Sequence, residues 1–167
     1  MIGVPQTVIA LVAFQRLAEL IVSRRNTAAL KNAGAIETGQ RHYPLFVGLH
    51  GAWLIAIAFS VPPESPIHWP LLLAYAGLQP IRFWIMATLG RNWTTRILVQ
   101  PGGQRVHHGP YRWCQHPNYA VVALEIPLLP LAFGAWPLAV IFGGMNAALL
   151  TYRIQVEDKA INAHLKR

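Results

Sequence analysis

The sequence predicts an all-α integral membrane bundle of five spanning helices that ends in a helical hairpin. Three observations predict it. Only 12% of the residues are charged, against about 25% in soluble domains. Apolar runs of about 20 residues, the length that crosses a hydrocarbon core, recur along the chain. Lys and Arg fall into every second connection between those runs, as the positive-inside rule requires.

The first span is read at 4–22. Met1 to Gln6 carry no Lys or Arg, so this run lacks the positive leader of a secretory signal and is read as a permanent helix. Arg16 and Glu19 are three residues apart within it, on one helical face. The second span is 43–61. The third is 69–89, interrupted by Pro80 and Arg82. The apolar stretch from Tyr119 to Tyr152 is too long for one crossing. Gly134-Ala135-Trp136-Pro137 offers a turn in its middle, and Pro137 suits the first turn of a new helix. The stretch therefore divides into spans 119–134 and 137–152, and the whole chain 1–167 reads as one membrane domain.

The connections after spans one and three carry Arg24, Arg25, Lys31, Arg41 and Arg91, Arg96, Arg105, Arg112. The tail carries Arg153, Lys159, Lys166 and Arg167. The connection 62–68 and the hairpin tip carry none. The N-terminus is thus expected outside and the C-terminus in the cytoplasm, with a cytoplasmic loop at 90–118. The net charge of +8 follows from this pattern. Nucleic-acid binding would need the basic residues clustered on a folded polar face. The lone Cys114 excludes an intrachain disulfide. The seven histidines form no His-x-x-His-His repeat, so no metal is expected.

Three groups of residues carry chemistry. The densest is Gly109-Pro110-Tyr111-Arg112-Trp113-Cys114-Gln115-His116-Pro117-Asn118-Tyr119. Gly-Pro makes a turn and permits close backbone approach. The aromatic rings suit either an adenine sandwich or an aromatic belt at the membrane surface. His116 precedes Pro117 at a predicted helix start, where free N–H groups and the helix dipole favour a carboxylate. The second group is Arg153 with Glu157, spaced i,i+4 at the end of span five. The third comprises polar residues within the spans: Arg16, Glu19, His50, Arg82, Glu125 and Asn146. Ionisable groups in a membrane are functional candidates because burying them is costly.

The elements Gly109-Pro110-Tyr111…Gln115-His116-Pro117-Asn118-Tyr119 and Arg153…Glu157-Asp158 resemble the isoprenylcysteine carboxyl methyltransferase family. Its pattern reads Gly-x-Tyr-x-x-x-Arg-His-Pro-x-Tyr, then Arg-x-x-x-Glu-Glu after a helical hairpin. Here Gln115 stands for the Arg and Asp158 for the second Glu. The segments Phe14–Leu20, Ser23–Asn26, His42–Pro44 and Leu89–Ile97 are similar to a small bacterial branch linked to O-methylation of alkylpyrones and alkylresorcinols. The resemblance implies S-adenosylmethionine as cofactor and a lipid-like acceptor, and the loop charges put the site on the cytoplasmic side of what is expected to be a bacterial inner membrane. It implies that Gly109, Tyr111, His116, Pro117 and Tyr119 bind the cofactor and that Arg153 and Glu157 close the catalytic site. His50, Trp93, Arg96, Glu125 and Asn146 are the candidate substrate contacts. An ionised carboxylate or pyrone enol needs no base, whereas a resorcinol hydroxyl does. Two rivals remain at this stage: an NADPH-dependent sterol-type reductase, and a non-enzymatic transporter or complex subunit.

Overall fold

The computed structural model describes residues 3–164. Lys166 and Arg167, counted among the tail charges, lie outside the described residues. Five α-helices form among those described: α1 (Val4–Asn32), α2 (Tyr43–Ser60), α3 (Trp69–Leu89), α4 (Pro117–Ala132) and α5 (Trp136–His164). α1 to α4 each carry Pro in the first turn, where its fixed φ suits the helix and its missing N–H costs nothing. α1, α2 and α5 are long and apolar enough to cross a membrane. α4 is apolar but shorter.

Two helices outrun the apolar segments read from the sequence. α1 continues past Val22 to Asn32, and α5 continues past Tyr152 to His164. Polar residues extend a helix as readily as apolar ones, so hydropathy marks the apolar part and not the helix end. The chain also adds a feature to the all-α expectation, an antiparallel ribbon of β1 (Ile36–Thr38) and β2 (Ile97–Val99). Ile36 pairs with Val99 and Thr38 with Ile97. β2 packs its buried Ile97 and Val99 on Val156, Ala160 and Ile161 of α5. The loop 90–118 is thereby structured, with 3₁₀ turns at Gly90–Asn92 and Gly109–Arg112.

The main core joins Ile9 and Val12 of α1, Trp53 and Ile57 of α2, Ile126 and Leu129 of α4, and Leu150 of α5. Proline chemistry shapes it. Pro130 inside α4 has no N–H to give the Ile126 carbonyl. The Trp53 indole donates to that carbonyl at 3.0 Å instead, so the defect in one helix anchors another. α4 then stops at Gly134, whose φ of 73° is the left-handed conformation glycine adopts without penalty. That turn delivers α5 antiparallel to α4, forming the C-terminal hairpin.

Candidate active site

A cavity of about 770 Å³ runs between the helices beneath the ribbon. One wall comes from α2, where Tyr43, Phe46 and His50 follow one another at helical spacing and all line the cavity. At one end stand Tyr111, Gln115, His116, Asn118, Tyr119 and Glu157. At the other stand Arg16, Glu19 and Arg82. The ribbon and the preceding loop contribute Trp93 and Arg96.

At the loop end, α4 and α5 bring their polar residues together. The Arg153 Nε donates to the Tyr119 hydroxyl at 2.8 Å, and Tyr119 donates to the Glu157 carboxylate. Arg153 also donates from Nη2 to the Thr95 carbonyl at 2.6 Å and lies over the Phe46 ring at 4.9 Å. His116 stacks on Tyr119 with ring centroids 5.5 Å apart. Its Nε2 lies 3.1 Å from Asp158 Oδ1 and its Nδ1 4.0 Å from Glu157 Oε1. Asp158 additionally takes Arg105 at 3.3 Å. Burial, with the Glu157 and Cys114 charges adding to it, pushes the Tyr111 phenol far above its ordinary value. Tyr111 therefore stays a protonated donor at the cavity wall.

The far end carries four ionised side chains from three helices. Arg82 grips Glu19 with two donors, Nε at 2.6 Å and Nη2 at 2.5 Å, and reaches Glu125 with Nη1 at 3.0 Å. Arg16 bridges the same two carboxylates, with Nη1 3.0 Å from Glu19 and Nη2 2.8 Å from Glu125. Gln79 donates to Glu125 at 2.9 Å, and Gln15 donates to both Glu19 and Gln79 at 3.0 Å. Two positive and two negative charges cancel, which is what allows four ions to be buried together. The sequence spacing foretold the Arg16–Glu19 contact. It could not supply Arg82 and Glu125, which come from other helices.

The structure brings Tyr111, His116, Tyr119, Arg153, Glu157, His50, Trp93 and Arg96 to one cavity. Four other candidates stand behind its wall. Gly109 has φ 59°, and a Cβ there would sit 2.6 Å from Thr88 Oγ1. Its role is the close approach of backbone to the end of α3. Pro117 is buried as the first residue of α4. Glu125 belongs to the ion cluster. Asn146 is buried on α5 and faces the Val122 carbonyl at 3.5 Å. Sequence reasoning missed Ser23, Tyr43 and Thr95. The Ser23 hydroxyl lies 2.7 Å and the Tyr43 hydroxyl 3.1 Å from Thr95 Oγ1, which holds the loop residue that receives Arg153. It also missed Glu37, which pairs with Lys31 and, at 2.5 Å, with Arg96. Among the described residues no cluster suited to a metal ion occurs.

Residues 71–163, more than half of the chain, match the family model described as isoprenylcysteine carboxyl methyltransferase (ICMT) family. The chain belongs to this family. It is also 41% identical over 160 residues to "Uncharacterized protein YpbQ" of Bacillus subtilis (strain 168), covering 93% of this chain and 95% of the relative. No solved structure matches it. Membership in the ICMT family implies a membrane methyltransferase, and three apolar helices agree with a membrane protein. It counts against both the reductase and the non-enzymatic rival. ICMT family methyltransferases use S-adenosylmethionine in general.

The cavity's loop end suits that cofactor chemically. Two buried polar atoms on its wall, Asn118 Oδ1 and Trp93 Nε1, have no partner among the described residues. Buried polar groups are normally hydrogen-bonded, so these two retain hydrogen-bonding capacity that a polar ligand could use. Tyr111, Trp93 and the stacked His116–Tyr119 pair provide flat faces, and Glu157 provides negative charge for a cationic group.

Proposed function

We propose that this chain is an S-adenosylmethionine-dependent O-methyltransferase acting in the membrane on a lipid-like acceptor. The observation that carries the reading is the Arg153–Tyr119–Glu157 chain at the wall of a cavity that joins a polar loop to apolar helices. Tyr111, His116, Asn118 and Tyr119 would hold the cofactor, and Glu157 would stabilise its positive charge. When bound, the cofactor supplies an activated methyl group on a cationic sulfur. The protein's part is to align the acceptor oxygen with that methyl and to exclude water. Arg153 is held rigid by Tyr119, Thr95 and Phe46, so it fixes the geometry between the two ligands.

The acceptor enters, on this reading, from the bilayer. The cavity is lined by Leu17 of α1 and Ile55 of α2, and both side chains are also more than half exposed on the lipid-facing surface. An apolar tail can lie there while its head reaches Arg153. On this reading the loop end lies at the cytoplasmic surface of a bacterial inner membrane, with five crossings and an outside N-terminus, and the alternation of basic connections supports it.

The test is cofactor binding to purified protein in detergent, followed by calorimetry. His116→Ala removes the ring stacked on Tyr119 and is expected to abolish saturable binding while leaving thermal unfolding close to that of the parent. Normal cofactor binding by that variant would show that the cofactor site lies elsewhere.

A further inference from the structure

Three guanidinium groups along the cavity keep donor nitrogens that have no partner among the described residues. Arg96 gives Nη1 to Glu37 and lies over the Tyr43 ring at 4.2 Å, on the side of α2 and the ribbon. Arg153 gives Nε to Tyr119 and Nη2 to Thr95. Arg105 gives only Nη2, to Asp158 Oδ1 at 3.3 Å. Charge-assisted hydrogen bonds run to about 2.7–2.9 Å, so this one is long. The two side chains are 31% and 38% exposed, and ion pairs so open to water bind weakly. Nε and Nη1 of Arg105 remain available, and Arg105 lines the cavity.

The fold brings Arg105 to the start of α4. His116 immediately precedes that helix, and its Nε2 lies 3.1 Å from the same Asp158 oxygen that Arg105 contacts. The loop is fixed on both sides of Arg105. Before it, the Gly102 N–H donates to the His164 carbonyl of α5 at 3.0 Å. After it, the Gly109 backbone packs against Thr88 of α3. The first turn of α4 offers a donor of its own. Pro117 has no N–H, and the Asn118 N–H has no hydrogen-bond partner among the described residues. Asn118 lines the cavity, as Arg105 does. A free N–H at a helix start favours an anion, and a guanidinium beside it adds a full positive charge and further donors. Gln115 stands where the family pattern has arginine and carries no charge. The cation beside the start of α4 comes from the loop instead.

We propose that Arg105, together with the Asn118 N–H, binds the carboxylate of the methyl donor. This rests on the methyltransferase reading above and adds to it an anchor outside the motif residues. The donor carries a carboxylate at one end of its amino-acid arm and a cationic sulfur at the other. Arg105 receives the first, and Glu157, next to Asp158 on α5, is left for the positive charge. The two ends are told apart by charge, so the methyl is presented in one orientation.

The experiment measures binding by calorimetry, with no acceptor present, for the parent, Arg105→Gln and Arg105→Lys purified in detergent. The two probes are S-adenosylmethionine and its decarboxylated form, which lacks only the carboxylate. The parent is expected to bind S-adenosylmethionine about tenfold or more tightly than the decarboxylated form, the range of a charged hydrogen bond partly open to solvent. Arg105→Gln is expected to lose about tenfold in affinity for S-adenosylmethionine and less than about twofold for the decarboxylated form. Retained binding of the second probe shows that the site is folded. Arg105→Lys keeps the charge without the fork and should fall between the two. Equal losses for both probes in Arg105→Gln would make Arg105 a latch that holds the loop on Asp158, and would overturn the proposal. A parent that binds both probes alike, or an Arg105→Gln variant that keeps the parent's preference, would also overturn it. Each of these results leaves the methyltransferase reading intact. A parent that binds neither probe would sink both.

Discussion

Arg153 of α5 donates to the hydroxyl of Tyr119 in α4 across 2.8 Å, and the same hydroxyl donates to Glu157 one turn along α5. Tyr119 is therefore the bridge that sets a guanidinium and a carboxylate of one helix against the start of another. Tyr119→Phe keeps the ring that stacks on His116 and removes only the bridge. Hydrogen bonds to charged groups contribute roughly 1.5–3 kcal/mol. Turnover is expected to fall by about 10- to 100-fold, with cofactor affinity changed much less. Steady-state kinetics beside calorimetric binding separates the two. An unchanged kcat would show that Arg153 needs no such support.

The buried cluster of Arg16, Glu19, Arg82 and Glu125 makes a stability prediction with a distinctive pattern. Glu125→Leu leaves Arg16 and Arg82 sharing one carboxylate, and breaking a buried ion pair costs about 3–5 kcal/mol. Arg82→Leu leaves a surplus negative charge and is expected to cost a similar amount. The double variant restores neutrality through the remaining Arg16–Glu19 pair. Its loss should be smaller than the sum of the single losses. Thermal unfolding in detergent measures all three, and strict additivity would deny the coupling.

Hydropathy and loop charge revealed the helical runs because crossing a bilayer demands about 20 apolar residues whatever they touch. The Arg16–Glu19 contact was equally legible, because i,i+3 residues share a helical face. Its partners were not. Arg82 and Glu125 lie 63 and 106 residues from Glu19 in the chain, and only tertiary packing brings them together. The ribbon escaped for the same reason. Ile36-Glu37-Thr38 is too short to show a strand period and pairs with residues some 60 positions away. The ends of α1 and α5 escaped because their last turns are polar. At the site, motif residues such as His116 and Glu157 stood out, while Thr95, whose carbonyl receives Arg153, and Ser23, which holds Thr95, are ordinary polar residues by type.

The ribbon and the start of α2 carry two titrations outside the membrane-spanning segments. Burial raises the Glu37 pKa, but Lys31 and Arg96 outweigh it and hold the carboxyl below 4.5. The unfolded chain then binds a proton before the folded one does. The stabilisation is complete above about pH 4.5 and is lost as pH falls through the folded value. Burial and the Arg153 charge likewise hold His42 below 6.5. His42 is therefore neutral in the folded chain when the unfolded chain begins to protonate. Stability should decline in two stages, first below about pH 6.5 and again below about pH 4.5. Unfolding followed against pH would show both, and Glu37→Gln should remove the lower stage alone. Persistence of the lower stage in that variant would assign it to another carboxyl.

The proposed orientation is open to chemical labelling. Cys114 is exposed and lies in the loop assigned to the cytoplasm. In right-side-out bacterial vesicles a membrane-impermeant maleimide is expected to leave it unlabelled until the vesicles are opened. A Cys114→Ser chain carrying Glu64→Cys, in the connection between α2 and α3, should label at once. The reverse pattern would invert the topology.

The most direct test of the central claim is transfer of a labelled methyl group to lipid. Purified protein in nanodiscs would be incubated with methyl-labelled S-adenosylmethionine and a total lipid extract, and organic-soluble label counted before and after base treatment. The account predicts label in lipid, as a base-stable ether or a base-labile ester, and its loss in Arg153→Leu and Glu157→Gln. No lipid label together with no saturable cofactor binding would contradict it.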